Sequence, residues 1–376
     1  MIKWKTGLIA GALAVVLAIP TRMPASAAGV LAPDYKIAPW ATDNISGCPG
    51  GGDASPTCYY NVDSETTDGS FVYAGYQNNG APDGSSGSSI VAKYAMTGGS
   101  PVTFLGPFPG KTDGLRINPA DGTLWVLNNE DASPILRIVN PQTGAATMYA
   151  LPVNPQFGGG YDDIAFTAHG TFLSASNPTP NPKGFNTHRL MASIQFLGGK
   201  AVLTPMLVGF LVVTNRATGT KTTVNITDPD SLSVDPASGD VVLDGQADST
   251  LIFIHNAGTQ TQQVSALRLK PTPTVNCGKP PIPPAVACPP IIDETTWTTS
   301  KTGYFLIGDH ALPGAIYQLT KKAGFGSDEA YSTVSSDNPT LANTVGQLNT
   351  HTGFISPVAS GFTSPKGLLF VPTNGK

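Results

Sequence analysis

Leu115-Arg-Ile-Asn-Pro-Ala-Asp-Gly-Thr-Leu-Trp-Val126 and Leu232-Ser-Val-Asp-Pro-Ala-Ser-Gly-Asp-Val-Val-Leu243 are two copies of one phrase. An alternating apolar run enters a turn with proline and glycine three residues apart, and a second apolar run leaves it. Proline fixes φ for the turn, and glycine accepts the left-handed conformation that closes it. The phrase predicts an antiparallel hairpin. Looser copies surround Gly69 (Val62 to Tyr73), Gly170 (Ile164 to Ser174), Gly303 (Trp297 to Ile307) and Gly375 (from Leu368). Successive copies lie 48 to 72 residues apart, enough for a four-stranded sheet of ~40–50 residues plus insertions.

A second hairpin follows most copies, as at Ile135 to Leu151, Leu251 to Leu269, Ile90 onward past Gly98-Gly99, and Ala315 onward past Gly324. Two hairpins per period make one blade of an all-β, single β-propeller with four antiparallel strands per blade. Six blades are favoured. Two further hairpin-like stretches, Leu211 to Ile226 and Val345 to Val358, keep a seventh open. The last copy stops after one or two strands, so Leu31 to Asn44 is expected to complete that blade and leave no open edge. A β-sandwich is the rival, but its strands need not repeat. No sustained i, i+3, i+4 apolar pattern follows the first residues, so helices should be few.

The expected organisation is a signal peptide (1–27), an N-terminal segment with the ring-closing strand and a disulfide loop (28–60), and the propeller (61–376). Lys3 and Lys5 precede the apolar run Gly7 to Ile19, and Ala25-Ser-Ala27 offers a small-x-small cleavage site. A helix of that run spans about 20 Å, short of a bilayer core of about 30 Å. The reading is a secreted or periplasmic protein without a membrane span after cleavage. Lys and Arg number 21 against 25 Asp and Glu; removing Lys3, Lys5 and Arg22 leaves 18 against 25, a net charge of −7. With no basic stripe to neutralise phosphates, a nucleic-acid partner is not expected. The oligomeric state is open.

Four cysteines form two local couples, Cys48 with Cys58 and Cys277 with Cys288. In an exported chain they read as disulfides, and local pairing asks least of the chain. Both couples fall in connections between blades, on the face where the long insertions Asn79 to Ser89 and Asn177 to His188 also fall. Long loops on a rigid scaffold commonly carry binding. Polar residues gather at the same ends of the strands. At first strands stand Asp63, Asp113, Asp162-Asp163, Asp230, Asp293-Glu294 and Lys366; at the ends of second strands stand Asn78-Asn79, Asn128-Asn129-Glu130, Asn177, Asp244 and Asp309-His310. A ring would bring these to one mouth, where carboxylates either raise one another's pKa or hold a cation. Strand-end Asp and Asn also commonly bond turn backbone, which is the structural alternative. No nucleophile elbow, zinc-protease helix, P-loop or dinucleotide fingerprint occurs.

Thr112-Asp-Gly-Leu-Arg-Ile-Asn-Pro-Ala-Asp-Gly-Thr-Leu-Trp-Val-Leu-Asn128, echoed at Pro229 to Gly239 and at Pro365-Lys-Gly-Leu368, resembles the NHL-repeat and SMP-30/gluconolactonase-like propellers. That resemblance implies a divalent cation (Ca²⁺ or Mg²⁺) at the channel mouth. Asp113 stands where the family often has asparagine, Asn128 where it often has aspartate, and Asp230 matches its acid, with Ser231 in place of glycine. Two activities follow as expectations. The first is non-catalytic binding of a polar small molecule or glycan-like ligand, contacted by Asn79, Asn129, Asp163, Asn177, Asp244 and Lys366. The second is a cation-dependent lactonase-like hydrolase or lyase, with Asp113, Asn128, Asp230 and Asp309 as ligands and His310 or Glu294 moving protons. A protein-interaction scaffold is the third reading.

Overall fold

The computed structural model describes residues 28–48, 52–152, 159–176, 184–271, 290–334 and 343–373. Cys277, Cys288, Asn177 and the expected signal peptide lie outside them. Six antiparallel-based sheets form the described chain, and no helix occurs among the described residues. None therefore is long and apolar enough to cross a membrane.

The first three blades run in chain order: Val62–Thr67, Phe71–Tyr76, Ser88–Ala95 and Thr103–Pro109; then Thr112–Ile117, Leu124–Asn128, Ile135–Val139 and Ala146–Ala150; then Tyr161–Thr167, Gly170–Ala175, Arg189–Leu197 and Lys200–Val208. Each inner strand packs beside the inner strand of the next blade, and that of blade 6 beside that of blade 1, so the ring closes.

The quoted phrases form the hairpins they predict. In blade 2 the Gly122 N–H donates to the Asn118 carbonyl (2.9 Å) with Gly122 at φ 71°, and in blade 4 Gly239 does the same to Asp235 (2.8 Å, φ 73°). Second strands are buried on both faces because a neighbour covers each side. Leu124 and Val126 face blade 1, while Trp125 and Leu127, one residue out of step, face blade 3. Six such apolar clusters fill the six inter-blade spaces.

The last three blades depart from simple order. Blade 4 contains Pro229–Val234, Val241–Gly245, Thr250–His255 and Gln263–Arg268, and adds the hairpin Phe210–Asn215 with Lys221–Asn225 outside, joined by a parallel pairing. The stretch that kept a seventh blade open is thus an appendage of the fourth. The other, Val345 to Val358, supplies the outer half of blade 5.

Blades 5 and 6 exchange a hairpin. The inner strand of blade 5, Ile292–Trp297, pairs with Ala330–Val334, and Thr344–Leu348 and Phe354–Ser360 follow outward. The intervening strands Gly303–Asp309 and Ala315–Lys321 belong to blade 6, between its inner strand Pro365–Pro372 and its outermost strand Tyr35–Thr42. The hairpin expected around Gly303 is therefore wrong: its two strands lie in different blades. Apolar alternation marks a strand but not its partner.

The exchange can be tested by cross-linking. Thr295 Oγ1 and Ser332 Oγ lie 2.9 Å apart across the blade-5 pairing. Thr295→Cys combined with Ser332→Cys should form a disulfide under oxidation, read by peptide mass. Blades built in strict chain order would hold these positions apart and leave both thiols free.

Candidate functional site

Every inner strand carries the same irregularity. Three residues advance on the inner strand against two on its partner: Val62 to Glu65, Thr112 to Leu115, Tyr161 to Ile164, Pro229 to Leu232, Ile292 to Thr295 and Pro365 to Leu368. A bulge inserts one unpaired residue and re-aims the side chains around it. The residue after each strand's first is Asp63, Asp113, Asp162, Asp230, Asp293 or Lys366. All six line one axial cavity of about 30 Å³, with Glu130, Asp163 and Glu294.

The upper layer is a belt of acids with few counter-charges. Lys366 Nζ lies 3.1 Å from Asp293 and 3.6 Å from Asp63. Gln246 donates to Asp230 and to Asp293 (2.9 Å). Asp162 and Asp230 face each other and share a hydrogen bond. Lys111, from the residue before the second inner strand, bonds Glu130 and lies 3.3 Å from Asp113. Gln77 donates to Asp113 Oδ1 at 2.8 Å, while Asp113 Oδ2 is buried with no partner. Asp113, Glu130 and Asp162 each place an oxygen within 4.8 Å of the others. Burial, then neighbouring acids, push Asp113, Asp162 and Asp230 well above the usual carboxylate range. An all-oxygen cluster of this kind suits a hard divalent cation.

Beneath lies a second layer. Arg116 Nη2 donates to Asp163 (2.6 Å), Glu294 (2.9 Å) and the Leu232 carbonyl (3.1 Å). Glu65 is fully buried and neither of its oxygens has a partner. A Cβ on Gly308 or Gly367 would lie 2.5 Å or 1.9 Å from those oxygens, so the two glycines make the space that the carboxyl occupies.

Of the residues singled out in the sequence, Asp113, Asp230, Asp163, Glu294 and Lys366 meet at the axis. Glu294 sits in the lower layer, held by Arg116 and by the Leu368 N–H (2.7 Å). Asn128 and Asp309 do not line the cavity. The Asn128 amide N–H donates to Thr112 Oγ1 (2.8 Å) and its oxygen accepts from Arg137, and Asp309 accepts the backbone N–H groups of Thr363 and Ser364. Asp244 bonds Thr295 (3.0 Å) between blades 4 and 5. Asn79 and Asn129 brace their own loops. His310 borders the mouth, its Nδ1 3.8 Å from Asp63, and burial pushes its pKa down to about 4. Cys48 and Cys58 form a disulfide. The strand-start acids Asp63, Asp162 and Asp293, and Glu130, which the sequence placed at the mouth without a role, line the cavity as well. Sequence reasoning passed over Lys111 and Arg116 and left Glu130 and Asp162 out of the cation set.

A ring of six such blades with an axial acidic mouth defines the chain as a β-propeller. No protein-family model matches it, and no curated protein matches its sequence. Similar solved structures include the hydrazine synthase of Kuenenia stuttgartiensis (10% identity, TM-score 0.35, covering 78% of this chain and 67% of that one). Another is a streptogramin B lyase (11% identity, TM-score 0.41, 94% and 90%). At these scores neither carries an argument about the site or a reaction.

The lower layer makes a pH prediction. Burial raises the folded-state pKa of Glu294 to about 7 from its ordinary 4.5, although Arg116 opposes the shift. Folding therefore takes up a proton between these values, and this group's stabilising contribution is full below about 4.5 and lost as pH rises through about 7. In chelator, calorimetric melting of wild type against Glu294→Gln should show a steeper fall over that window for wild type. Parallel curves would contradict it.

Proposed function

We propose that the chain is an exported, divalent-cation-binding β-propeller whose cation holds a small oxygen-rich ligand over the channel mouth. The observation that carries this reading is the buried Asp113 Oδ2, which accepts no hydrogen bond beside two further carboxylates. Asp113, Glu130 and Asp162 would hold a cation of the Ca²⁺ or Mg²⁺ class, with Asp230 adjacent. A cavity of about 30 Å³ admits an ion or one water but no sugar ring. A polar or glycan-like ligand would therefore lie on the rim, beside the part-exposed Lys366 and His310. The Cys48–Cys58 disulfide supports an oxidising compartment and hence export.

A thermal-shift comparison with Ca²⁺, Mg²⁺ and Mn²⁺ against chelator tests the reading. At a hundredfold excess over Kd, one ion should add about 2.7 kcal/mol, a rise of about 5 °C. Asp113→Asn should remove most of that rise while leaving the chelator baseline intact. If none of the ions moves the melting temperature, the reading fails.

A second reading is a lactonase-like hydrolase or lyase of the SMP-30/gluconolactonase kind. Its support is His310, whose buried Nδ1 has no hydrogen-bond partner and whose imidazole is unprotonated at neutral pH. Such a ring can take a proton from an attacking water or an acidic C–H. A bound cation would supply polarisation of the ligand's carbonyl. His310→Ala should then abolish lactone turnover, by about 10²-fold or more, and leave the ion-induced thermal shift unchanged. Equal turnover by wild type and variant would remove His310 from the chemistry.

A further inference from the structure

Lys111 holds a position unlike its counterparts. The residues preceding the other inner strands are Asn61, Gly160, Asp228, Ile291 and Ser364; blade 2 alone places a cation there. Its ammonium bonds Glu130 and lies 3.3 Å from Asp113, two of the three acids in the oxygen cluster. The backbone is fixed: the Lys111 N–H donates to the Ala81 carbonyl (3.2 Å), and its own carbonyl accepts from the Asn129 N–H (2.8 Å) and the Asn128 amide (3.2 Å). The side chain, by contrast, is part-exposed, at 18%. Lys366 differs, since it pairs with Asp293 and Asp63, outside the cluster.

We propose that Lys111 is a resident, displaceable cation: its ammonium occupies Asp113 and Glu130 until a divalent ion replaces it, whereupon the side chain swings out to the rim. The inference rests on the cation reading above and adds how that site is filled. Asp113 Oδ2 remains buried without a partner even with Lys111 in place. A divalent ion supplies twice the charge and can accept all three oxygens as ligands. The two cations cannot share the space, because like charges at contact distance in a poorly solvated site repel strongly. The only element that must move is a flexible four-carbon stem on a fixed backbone.

Calorimetric titration of the full chain with Ca²⁺, and separately with Mn²⁺, tests this in wild type and Lys111→Met, which keeps the apolar stem. Removing the competing charge should tighten binding by about tenfold or more. Equal or weaker binding by the variant, with wild type still binding, overturns the exchange and leaves the cation site standing. Absence of binding in both overturns both. A measurement on wild type alone guards against a misfolded variant. Brief acylation with an N-hydroxysuccinimide ester, read by peptide mass, should label Lys111 several-fold faster with saturating Ca²⁺ than with chelator. Unchanged or slower labelling on Ca²⁺ addition sinks the exchange.

Discussion

One guanidinium ties the axis together. Arg116 projects from blade 2 and its Nη2 reaches Asp163 of blade 3, the Leu232 carbonyl of blade 4 and Glu294 of blade 5. Deleting one partner of a buried ion pair costs about 3–5 kcal/mol, because the remaining charge is left unsolvated. Here one deletion would strand two carboxylates. The same centre excludes bulk: Glu65 from blade 1 fills the space left by Gly308 and Gly367 of blade 6. The axis is thus packed around one cation and its carboxyl partners, and the acids above it rest on that floor.

That floor explains why the belt above can be so acidic. Six identical bulges aim six side chains at one axis, and five of the six are aspartates. Left in water these groups would ionise; brought together in a small cavity they hold protons, share them as Asp162 and Asp230 do, or take cations. Lys366 and Lys111 satisfy part of that demand from within the chain. The remainder is what an ion from solution would answer.

Much of the fold was legible because a hairpin is a local object. The Pro-x-x-Gly turn and its flanking alternation lie within twelve residues, and their recurrence implies a ring. Partner choice between distant strands is not local, so the exchange between blades 5 and 6 left no trace in the pattern, and the hairpin Leu211 to Ile226 was visible without the blade to which it attaches. The site divides in the same way. Asp113 and Asp230 stood out as acids at strand starts, and the bulge there turns them inward. Asn128 and Asp309 looked equivalent at strand ends, yet the regular pairing of those strands leaves them to satisfy neighbouring side chains and backbone. Arg116 carried no signal of its role, since its counter-ions, Asp163 and Glu294, arrive from other blades.

The exchanged hairpin also constrains the order in which the ring can close. Blades 1 to 4 each draw their strands from a continuous stretch, so each can close from neighbouring chain. The inner strand of blade 6, Pro365–Pro372, is the last of the described strands, and the strand it pairs with, Gly303–Asp309, lies some fifty residues earlier, ahead of most of blade 5. Until that strand docks, Gly303–Asp309 lacks its inner neighbour, while Tyr35–Thr42 waits to cap the far edge. Blades 5 and 6 are therefore committed to close together, at the single seam where Pro365–Pro372 meets Gly303–Asp309.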